Sequence, residues 1–417
     1  MSSRTLSRSS MPNRWVIATA AFCMQLALGA VYAWSVFLTP VIKAYHVPRP
    51  QANLTFSIVL LALGITAGFG GYFNARFGPR VIATVAGILY GLGVFLAAFV
   101  APNIYLLYLT YGIIGGIGLG LGYIVALAML IKWFPDRRGF ITGLAVAGFG
   151  AGAAITGPVA ANLFLPSVGL SGTFMYLGIA YLVIVVIAAQ FFQTAPEGYA
   201  PPGWQPTVKQ QAVSTRRDYT LQEALRSPRW YMLWLILALN VTAGAALISV
   251  ASPLATAFTH VAAGVASILV LTISIFNGAG RLFWGWLSDA IGRPYTFLSI
   301  FVIQIIAFAL MPLIGNFALL FIPASLIGLC YGGGFGTMPA FAADFFGPKN
   351  AGTIYGAMLT AWSAGGIVGP LLIASLDYRT ALYILAVLML LSCALPLIAR
   401  NIVQREEAIE VVAGGGK

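Results

Sequence analysis

The residue of this chain with the clearest chemical potential is Arg281, the one charged side chain in the apolar stretch 265–287. That stretch is long enough to cross a bilayer, where a central guanidinium costs on the order of 2.5–3.5 kcal/mol on insertion scales. Arginine cannot avoid this cost by losing its proton. We therefore expect Arg281 to bind an anion, and a carboxylate fits the guanidinium through two parallel hydrogen bonds.

The sequence contains no acidic residue that could neutralise Arg281 permanently. A scaffold role, in which Arg281 binds helix-end carbonyls or a neighbouring carboxylate, is the alternative, but the aspartates near the apolar stretches all fall at their ends. Asn277 lies one helical turn before Arg281 and projects from the same face. Its amide offers donors and an acceptor beside the guanidinium, so we predict that both residues contact a substrate carboxylate.

The elements that must position Arg281 are membrane helices. The chain has 417 residues, of which 60% are hydrophobic and only 8% charged, too few charges to cover a soluble protein of this size. The apolar residues form twelve blocks of about 20 residues, the length that spans roughly 30 Å of hydrocarbon. We predict an all-α membrane protein with spans near residues 15–41, 52–74, 81–100, 103–132, 140–163, 172–193, 230–257, 265–288, 294–314, 316–343, 352–376 and 380–399.

The basic residues predict how these spans are oriented. If both termini are cytoplasmic, all of the 22 Lys and Arg lie on the cytoplasmic side except Lys43, Arg49, Arg379 and the intramembrane Arg281. This asymmetry is typical of the positive-inside rule and fits an even number of spans. The net charge of +12 therefore indicates a multi-pass topology in the lipid bilayer and not a nucleic-acid partner.

Two pairs of motifs indicate an internal repeat. The segment 71–80 (GYFNARFGPR) aligns with 285–294 (GWLSDAIGRP), 214 positions later, and Gly157-Pro158 aligns with Gly369-Pro370 at an offset of 212. Nearly equal offsets predict duplication of a six-helix unit. The same offset places Ala67 opposite Arg281, so the repeated fold does not itself require arginine at that position.

The repeat and the polar segments predict four regions. We predict an N-terminal six-helix bundle over 1–193, a cytoplasmic linker over 194–229, a C-terminal six-helix bundle over 230–400 and a cytoplasmic tail over 401–417. In the linker, Thr220 and Glu223 have the spacing of a capping box and predict a short surface helix. A long polar linker lets two bundles rock against each other; a docking site for a regulatory partner is the alternative.

Two motifs resemble those of a known family. The pattern G-x-x-x-D-x-x-G-R at 285–293 resembles the loop signature of the major facilitator superfamily, although Ala75 replaces the acid in the first copy. The segment 133–148 (WFPDRRGFITGLAVAG) is similar to the fifth-span signature of the monocarboxylate transporters and the bacterial oxalate/formate antiporters. The acid-Gly pair that opens the first span of the animal branch is absent here, so the resemblance points to a bacterial member in the inner membrane.

The resemblance implies a set of functional residues. In these families an arginine of the eighth span binds the substrate carboxylate, and Arg281 occupies that position. Aromatic residues on four spans line the cavity, and loop charges gate the conformational change. The implied lining residues are Tyr32, Tyr123, Tyr331, Phe335 and Trp362 with Leu28 one turn from Tyr32, and the implied gating residues are Asp289, Arg293, Arg137 and Arg138.

A departure from the family pattern predicts the substrate class. The oxalate-transporting branch carries a lysine in the eleventh span, but no basic residue occurs here between Lys349 and Arg379, and Trp362 falls near the expected place. A dianion against one arginine would leave a carboxylate poorly compensated, at a cost of several kcal/mol. We therefore expect small monocarboxylates such as lactate, pyruvate or formate.

The mode of transport has two candidates. The resemblance implies alternating access between two rocking bundles and favours proton-coupled symport. However, Asn277 stands where the animal branch has an aspartate, and His46 and His260 fall in predicted external loops, as surface residues or a proton relay. An empty carrier must then reorient a bare arginine charge, which favours anion exchange of the oxalate/formate type. We expect symport, with exchange as the alternative.

Other functional classes lack the residues they need. The pattern G-x-x-x-x-G-K-[ST] of a nucleotide-driven pump is absent, and no catalytic His, Glu or Ser set occurs within the spans, so we expect no enzyme. Cys23, Cys330 and Cys393 show no pairing or ligand pattern, so we expect neither metal nor cofactor. Rings of like charge, as in channels, are missing. We expect a monomeric carrier, with glycine windows at 115–122 and 332–334 allowing close helix contacts.

Overall fold

The computed structural model describes residues 12–196, 199–201, 218–347 and 349–402, and within these residues it contains helices but no strand. Twelve long helices follow one another along the chain, and each coincides with a predicted span. They are α1 Arg14–Tyr45, α2 Arg49–Phe77, α3 Pro79–Phe99, α4 Ile104–Trp133, α5 138–168, α6 170–190, α7 Pro228–Thr259, α8 Ala263–Ile291, α9 Arg293–Leu313, α10 Phe317–Phe346, α11 Ala351–Ser375 and α12 Tyr378–Ile402.

A single glycine separates α5 from α6. The helical run Phe140–Gln190 has 51 residues, which at 1.5 Å per residue is about twice the length that one crossing needs. Gly169 interrupts the run with φ 66° and ψ −173°, a conformation that glycine adopts without steric cost. The described residues therefore form twelve helices of membrane-spanning length, as predicted.

The two halves repeat each other closely. The paired helices α1 and α7 both have 32 residues, α2 and α8 both have 29, and α4 and α10 both have 30. The helix ends match as well, because His46 and His260, 214 positions apart, both end their helices in the left-handed conformation. Gly78 and Gly292, at the same offset, both have φ near 80° to 87°. The offset deduced from two sequence motifs thus extends to the helix boundaries.

Helices from the two halves pack against each other along two seams. In the first seam, α2 lies on α11, and Ser363 donates a 2.8 Å hydrogen bond to the carbonyl of Leu61. In the second seam, α5 lies on α8 so closely that a Cβ on Gly150 would come within 3.0 Å of the Gly278 backbone. Small residues at such crossings let membrane helices approach.

The seams are sealed at one end by polar contacts. We call the end of the bundle where α1 begins and α12 ends the terminal side, and the other end the far side. On the far side, Arg49 donates to the carbonyl of Ala374 at 2.8 Å, and Asn162 donates to Ser267 at 3.3 Å. Deeper in the first seam, Asn53 donates to Ser249 at 3.0 Å and to the carbonyl of Pro370 at 2.9 Å. These bonds join the two halves on the far side of the molecule.

Ion pairs tie helix ends together on the terminal side of the C-terminal half. Arg293, at the start of α9, pairs with Asp289 of α8 at 2.6 Å and with Asp344 of α10 at 3.2 Å, and it also donates to Ser288. The predicted loop motif therefore holds three helices of one half in a fixed arrangement. A gating role for Asp289 and Arg293 stays a prediction.

The N-terminal half has a different ion pair on the terminal side. Arg14, the first residue of α1, donates to both carboxylate oxygens of Asp136 in the α4–α5 loop, at 2.6 and 3.0 Å. Arg137 lies 3.8 Å from the same carboxylate. The side chain of Arg138, a predicted gating residue, lies outside the described part of the structure. Sequence analysis did not predict the partner of Asp136.

The predicted linker is described only at its two ends. Residues 197–198 and 202–217 lie outside the described residues, as does the tail from 403 onwards. The predicted capping box is confirmed, because Glu223 N–H donates to the Thr220 hydroxyl at 3.2 Å and Thr220 N–H donates to the Glu223 carboxylate at 2.8 Å. The one-turn helix Leu221–Leu225 follows it and leads directly into α7.

We predict that Asp136→Asn lowers the stability of the folded protein in a pH-dependent way. The hydrogen bonds from Arg14 hold the pKa of Asp136 below its ordinary value of 3.8, so the pair stabilises the fold at neutral pH. That contribution is lost as the pH falls below 3.8 through the lowered pKa. Because both side chains are partly exposed, the loss at neutral pH should be about 1 kcal/mol or less.

Thermal unfolding in detergent at a series of pH values measures this effect. The gap between wild type and Asp136→Asn should close as the pH falls. Arg14→Gln should cause a similar loss, and the double variant should lose little more than either single variant. Fully additive losses would show that the two side chains do not stabilise the fold through each other.

Candidate functional site

Arg281 is buried in the middle of α8 with 1% of its surface exposed. Its guanidinium carbon lies 5.0 Å from the ring centre of Phe335 and 5.6 Å from that of Phe149, so an aromatic ring of each half faces the charge. None of its three guanidinium nitrogens has a hydrogen-bond partner among the described residues, and no described acid pairs with it. Burying a cation without hydrogen-bond acceptors costs free energy, so this site is suited to bind an anion that supplies those acceptors.

Glycines of α10 bring the backbone of α8 into the centre of the molecule. A Cβ on Gly332 would come within 3.0 Å of the Asn277 carbonyl, and one on Gly336 within 3.0 Å of the Arg281 carbonyl. Gly280 makes the reverse approach to the carbonyl of Leu329. The predicted close contact at the glycine window of α10 is confirmed, and it sets the depth and rotation of α8.

Asn277 lies beside Arg281 as predicted, and it is equally buried. Its side-chain nitrogen donates to the carbonyl of Gly150 in α5 at 3.3 Å, which orients the amide across the seam between the halves. The amide oxygen has no partner among the described residues. Both the Arg281 guanidinium and the Asn277 amide oxygen therefore lack a hydrogen-bond partner among the described residues.

The five aromatic residues implied by the resemblance meet in one buried cluster. Each is at most 2% exposed, and rings of the two halves contact each other directly. The ring centres of Tyr123 and Trp362 are 5.2 Å apart, those of Tyr32 and Tyr331 are 5.7 Å apart, and those of Phe335 and Trp362 are 4.4 Å apart. With Phe149, these rings enclose Arg281; we call this set of six rings the aromatic cage.

Hydrogen bonds orient three members of the cage. The hydroxyls of Tyr32 and Tyr331 are 3.0 Å apart and join α1 to α10. The indole nitrogen of Trp362 donates to the Tyr331 hydroxyl, also at 3.0 Å. This chain of donors crosses between the halves, so its geometry depends on how the two bundles are placed.

Two buried phenols place their hydroxyls near the guanidinium. Those of Tyr123 in α4 and Tyr355 in α11 have no partner of hydrogen-bond geometry among the described residues, although both phenols lie near each other and near Arg281. A phenol donates readily to a carboxylate. An anion bound to Arg281 could therefore take further hydrogen bonds from both halves.

Sequence analysis missed two residues near the guanidinium, and the lining role of Leu28 stays a prediction. Phe149 and Tyr355 belong to the cluster but were not predicted. Phe149 is the one aromatic residue in the run of mostly small residues at 143–152, and this pattern could have identified it. Leu28 is buried, and its side chain lies at the α1–α4 contact beside Gly122.

The arrangement as a whole is closed. Every predicted lining residue is at most 2% exposed, and the two seams run from the far side to the terminal side of Arg281. Taken together, the site can bind a small anion out of water, with one permanent charge, phenol and amide groups for hydrogen bonding and apolar walls. Low polarity around the charge strengthens this attraction.

Comparisons with known proteins agree with this architecture. The model of the Major Facilitator Superfamily matches residues 17–370 and 233–414. A crystal structure of a bacterial homologue of the human lysosomal transporter Spinster, inward-facing and unoccupied, superimposes with a TM-score of 0.73. It covers 94% of this chain and 98% of that one at 16% identity, which shows similarity of fold.

The chain is also similar in sequence to several transporters. The chain is 31% identical over 364 residues to the Escherichia coli (strain K12) protein named "Uncharacterized MFS-type transporter YhjX", covering 85% of this chain and 86% of that protein. It is 30% identical over 395 residues to the oxalate:formate antiporter of Oxalobacter formigenes, covering 92% and 90%. It is 27% identical over 352 residues to apicoplast pyruvate carrier 1 of Toxoplasma gondii, covering 70% and 64%.

We predict that Gly336→Ala impairs the site without removing any of its functional groups. The added methyl group would force α8 away from α10 at Arg281, at a cost of about 1–3 kcal/mol and with displacement of the guanidinium. Substrate uptake should fall by about tenfold for each 1.4 kcal/mol of lost binding. Gly71→Ala is the matched control, since nothing lies within 4 Å of a Cβ at that helical position.

Uptake and thermal stability are measured together in this test. The expected result is a loss of uptake in Gly336→Ala that exceeds its loss of folded protein, with Gly71→Ala unchanged. Equal uptake per folded molecule in all three proteins would contradict the claim that the α8–α10 contact positions Arg281.

Proposed function

Because this chain belongs to the major facilitator superfamily, we propose that it is a secondary active transporter of small monocarboxylates, which binds the substrate carboxylate through Arg281. As a member of this superfamily it is a transporter and not an enzyme. One observation carries the proposal: a permanently charged, buried guanidinium that pairs with no described acid and makes no hydrogen bond of normal geometry, enclosed by an aromatic cage from both halves. The names of two relatives, an oxalate:formate antiporter and a pyruvate carrier, support small carboxylates as the substrate class.

The number of positive charges favours monocarboxylates over dianions. Trp362 falls near the place where the resemblance puts a second cation, and it is buried and hydrogen-bonded to Tyr331. Between Lys349 and Arg379 the sequence contains no basic residue. One guanidinium satisfies one carboxylate, and a second carboxylate in the cage would face aromatic walls without a counter-charge. Lactate, pyruvate and formate meet this condition.

The bound carboxylate would complete interactions that the protein alone leaves open. Charge-assisted hydrogen bonds from Arg281 are about 2.7–2.9 Å long and stronger than neutral ones. Tyr123 and Tyr355 could donate to the same oxygens from α4 and α11. Since these helices belong to different halves, binding would stabilise the state in which the halves close around the substrate. This coupling of binding to closure is what alternating access requires.

The basic residues suggest how the carrier is placed in the membrane. The terminal side, with the ion pairs of Arg293 and Arg14, would face the cytoplasm of a bacterial cell, following the positive-inside rule. Asp289, Arg293, Arg137 and Arg138 would then act on the cytoplasmic side during closure. We propose that the carrier works as a monomer, because each chain provides a complete cage.

Proton-coupled symport is the mode of transport that the resemblance favours, and a specific observation also favours anion exchange. The groups around Arg281 are phenols, an indole and an amide, and no described acid reaches the guanidinium. Such a site has no carboxylate that could neutralise Arg281 when the carrier returns empty. In exchange, a second anion would travel with the arginine and remove this cost.

We predict that Arg281→Lys reduces monocarboxylate uptake by about tenfold or more with little change in expression. An ammonium keeps the charge but cannot form two parallel hydrogen bonds, and losing one charge-assisted bond costs about 1.5–3 kcal/mol. Uptake of labelled lactate and formate into proteoliposomes measures the effect. Arg226→Lys, an exposed substitution within the predicted linker, is the matched control. Full activity of Arg281→Lys would refute the proposed role of Arg281.

We predict that the mode of transport can be read from the pH and the internal anion of the same vesicles. For symport, lactate uptake acidifies a lightly buffered lumen and proceeds without internal anion. For exchange, uptake requires a trapped monocarboxylate and leaves the internal pH unchanged. Saturable uptake accelerated by trapped substrate indicates a carrier; linear, non-saturable flux would contradict alternating access.

A further inference from the structure

A small cavity adjoins the aromatic cage towards the far side of the molecule. It has room for about one water-sized group and shares two residues, Tyr32 and Asn277, with the candidate site. The rest of its wall comes from α7 and α8. These residues are Ile248, Ala251, Val270, Ile273 and Ser274.

At the positions that line this cavity, the two halves carry residues of different size. At the offset of 214, Ile248, Ala251 and Val270 correspond to Trp34, Phe37 and Phe56. These three aromatic side chains are at most 2% exposed. The ring centres of Trp34 and Tyr111 are 5.2 Å apart, and those of Phe37 and Phe174 are 5.3 Å apart. The N-terminal half thus fills with large rings the volume that the C-terminal half leaves open.

The polar residues of the cavity follow the same asymmetry. Ser274, Asn277 and Arg281 correspond to Leu60, Leu63 and Ala67 in the first half. These three polar side chains lie along one face of α8, about one turn apart, in the order Arg281, Asn277 and Ser274 from the cage into the cavity. A ligand held at Arg281 can therefore extend along α8 past Asn277 towards the aliphatic wall.

We propose that this cavity is the subsite for the terminal methyl group of a three-carbon acid, and that it limits transport to acids of about three carbons or fewer. The inference rests on the proposed function, since it assumes a carboxylate on Arg281. The available room fits a methyl-sized group, and the aliphatic side chains of Ile248, Val270 and Ile273 suit one. A fourth carbon meets packed side chains on α7 and α8.

Filling the cavity tests the proposal. Ala251→Phe introduces the residue found at the matching position of the first half. It should reduce lactate and propionate uptake by about tenfold while formate, which has no such group, changes little; one methylene in an apolar pocket is worth about 10–200-fold in discrimination. Ala394→Phe, on an exposed face of α12, is the matched control.

Enlarging the cavity tests it in the opposite direction and does not depend on a bulky residue being tolerated. Ile248→Ala should raise the uptake of the four-carbon acid 2-hydroxybutyrate relative to lactate by about tenfold. Ile306→Ala, which faces outwards from α9, is the control. If Ala251→Phe fails to fold, Ile248→Ala decides alone.

The outcomes separate this inference from the proposed function. Wild-type protein that transports none of these acids would refute the proposed function itself. Wild-type protein that transports them, with unchanged ratios of formate to lactate and of lactate to 2-hydroxybutyrate in the folded variants, would overturn the subsite and leave the role of Arg281 standing. Altered ratios in the stated directions support the subsite.

Discussion

The account of this structure depends on one feature: the guanidinium of Arg281 is buried without a described acid to pair with. A guanidinium buried in the middle of the bilayer is unfavourable by several kcal/mol unless acceptors surround it. In the described residues the protein provides rings at 5.0 and 5.6 Å but no acceptor of hydrogen-bond geometry. Cation–π contacts offset only a part of this cost, about 1–2 kcal/mol each at best. The remaining free energy is available to whichever anion enters, so an unfavourable feature of the empty protein becomes a source of affinity.

The fold makes this arrangement specific by letting both halves contribute to one enclosure. The N-terminal half has the uncharged Ala67 at the position that corresponds to Arg281. The aromatic cage is complete only where Tyr32 and Tyr123 of that half meet Tyr331 and Trp362 of the other half. In the proposed function, substrate contacts from both halves would favour the closed state, whereas the hydrogen bonds of Asn53 and Arg49 between the halves would oppose opening towards the far side. Transport by this route would require that these modest contacts, and not the packed interior of either half, break and reform.

Sequence alone predicted the parts of the structure that follow from length, polarity and repetition. Twelve spans follow from apolar block lengths, the halves from motifs 214 residues apart, and Arg281 from its depth. Phe149 and Tyr355 were missed because an aromatic side chain in a membrane helix faces lipid, headgroups or the interior according to rotations that only packing decides. The far-side cavity was missed for another reason: it arises from the small volumes of Ala251 and Val270 relative to Phe37 and Phe56, which matter only once the register of the halves is known.

The most direct test of the central claim is an experimental structure of the protein with a bound monocarboxylate such as lactate. The account predicts carboxylate oxygens within about 2.7–2.9 Å of the Arg281 guanidinium nitrogens, inside the aromatic cage. Substrate density elsewhere in the bundle, or Arg281 held by an acid of the protein while substrate is bound, would contradict it.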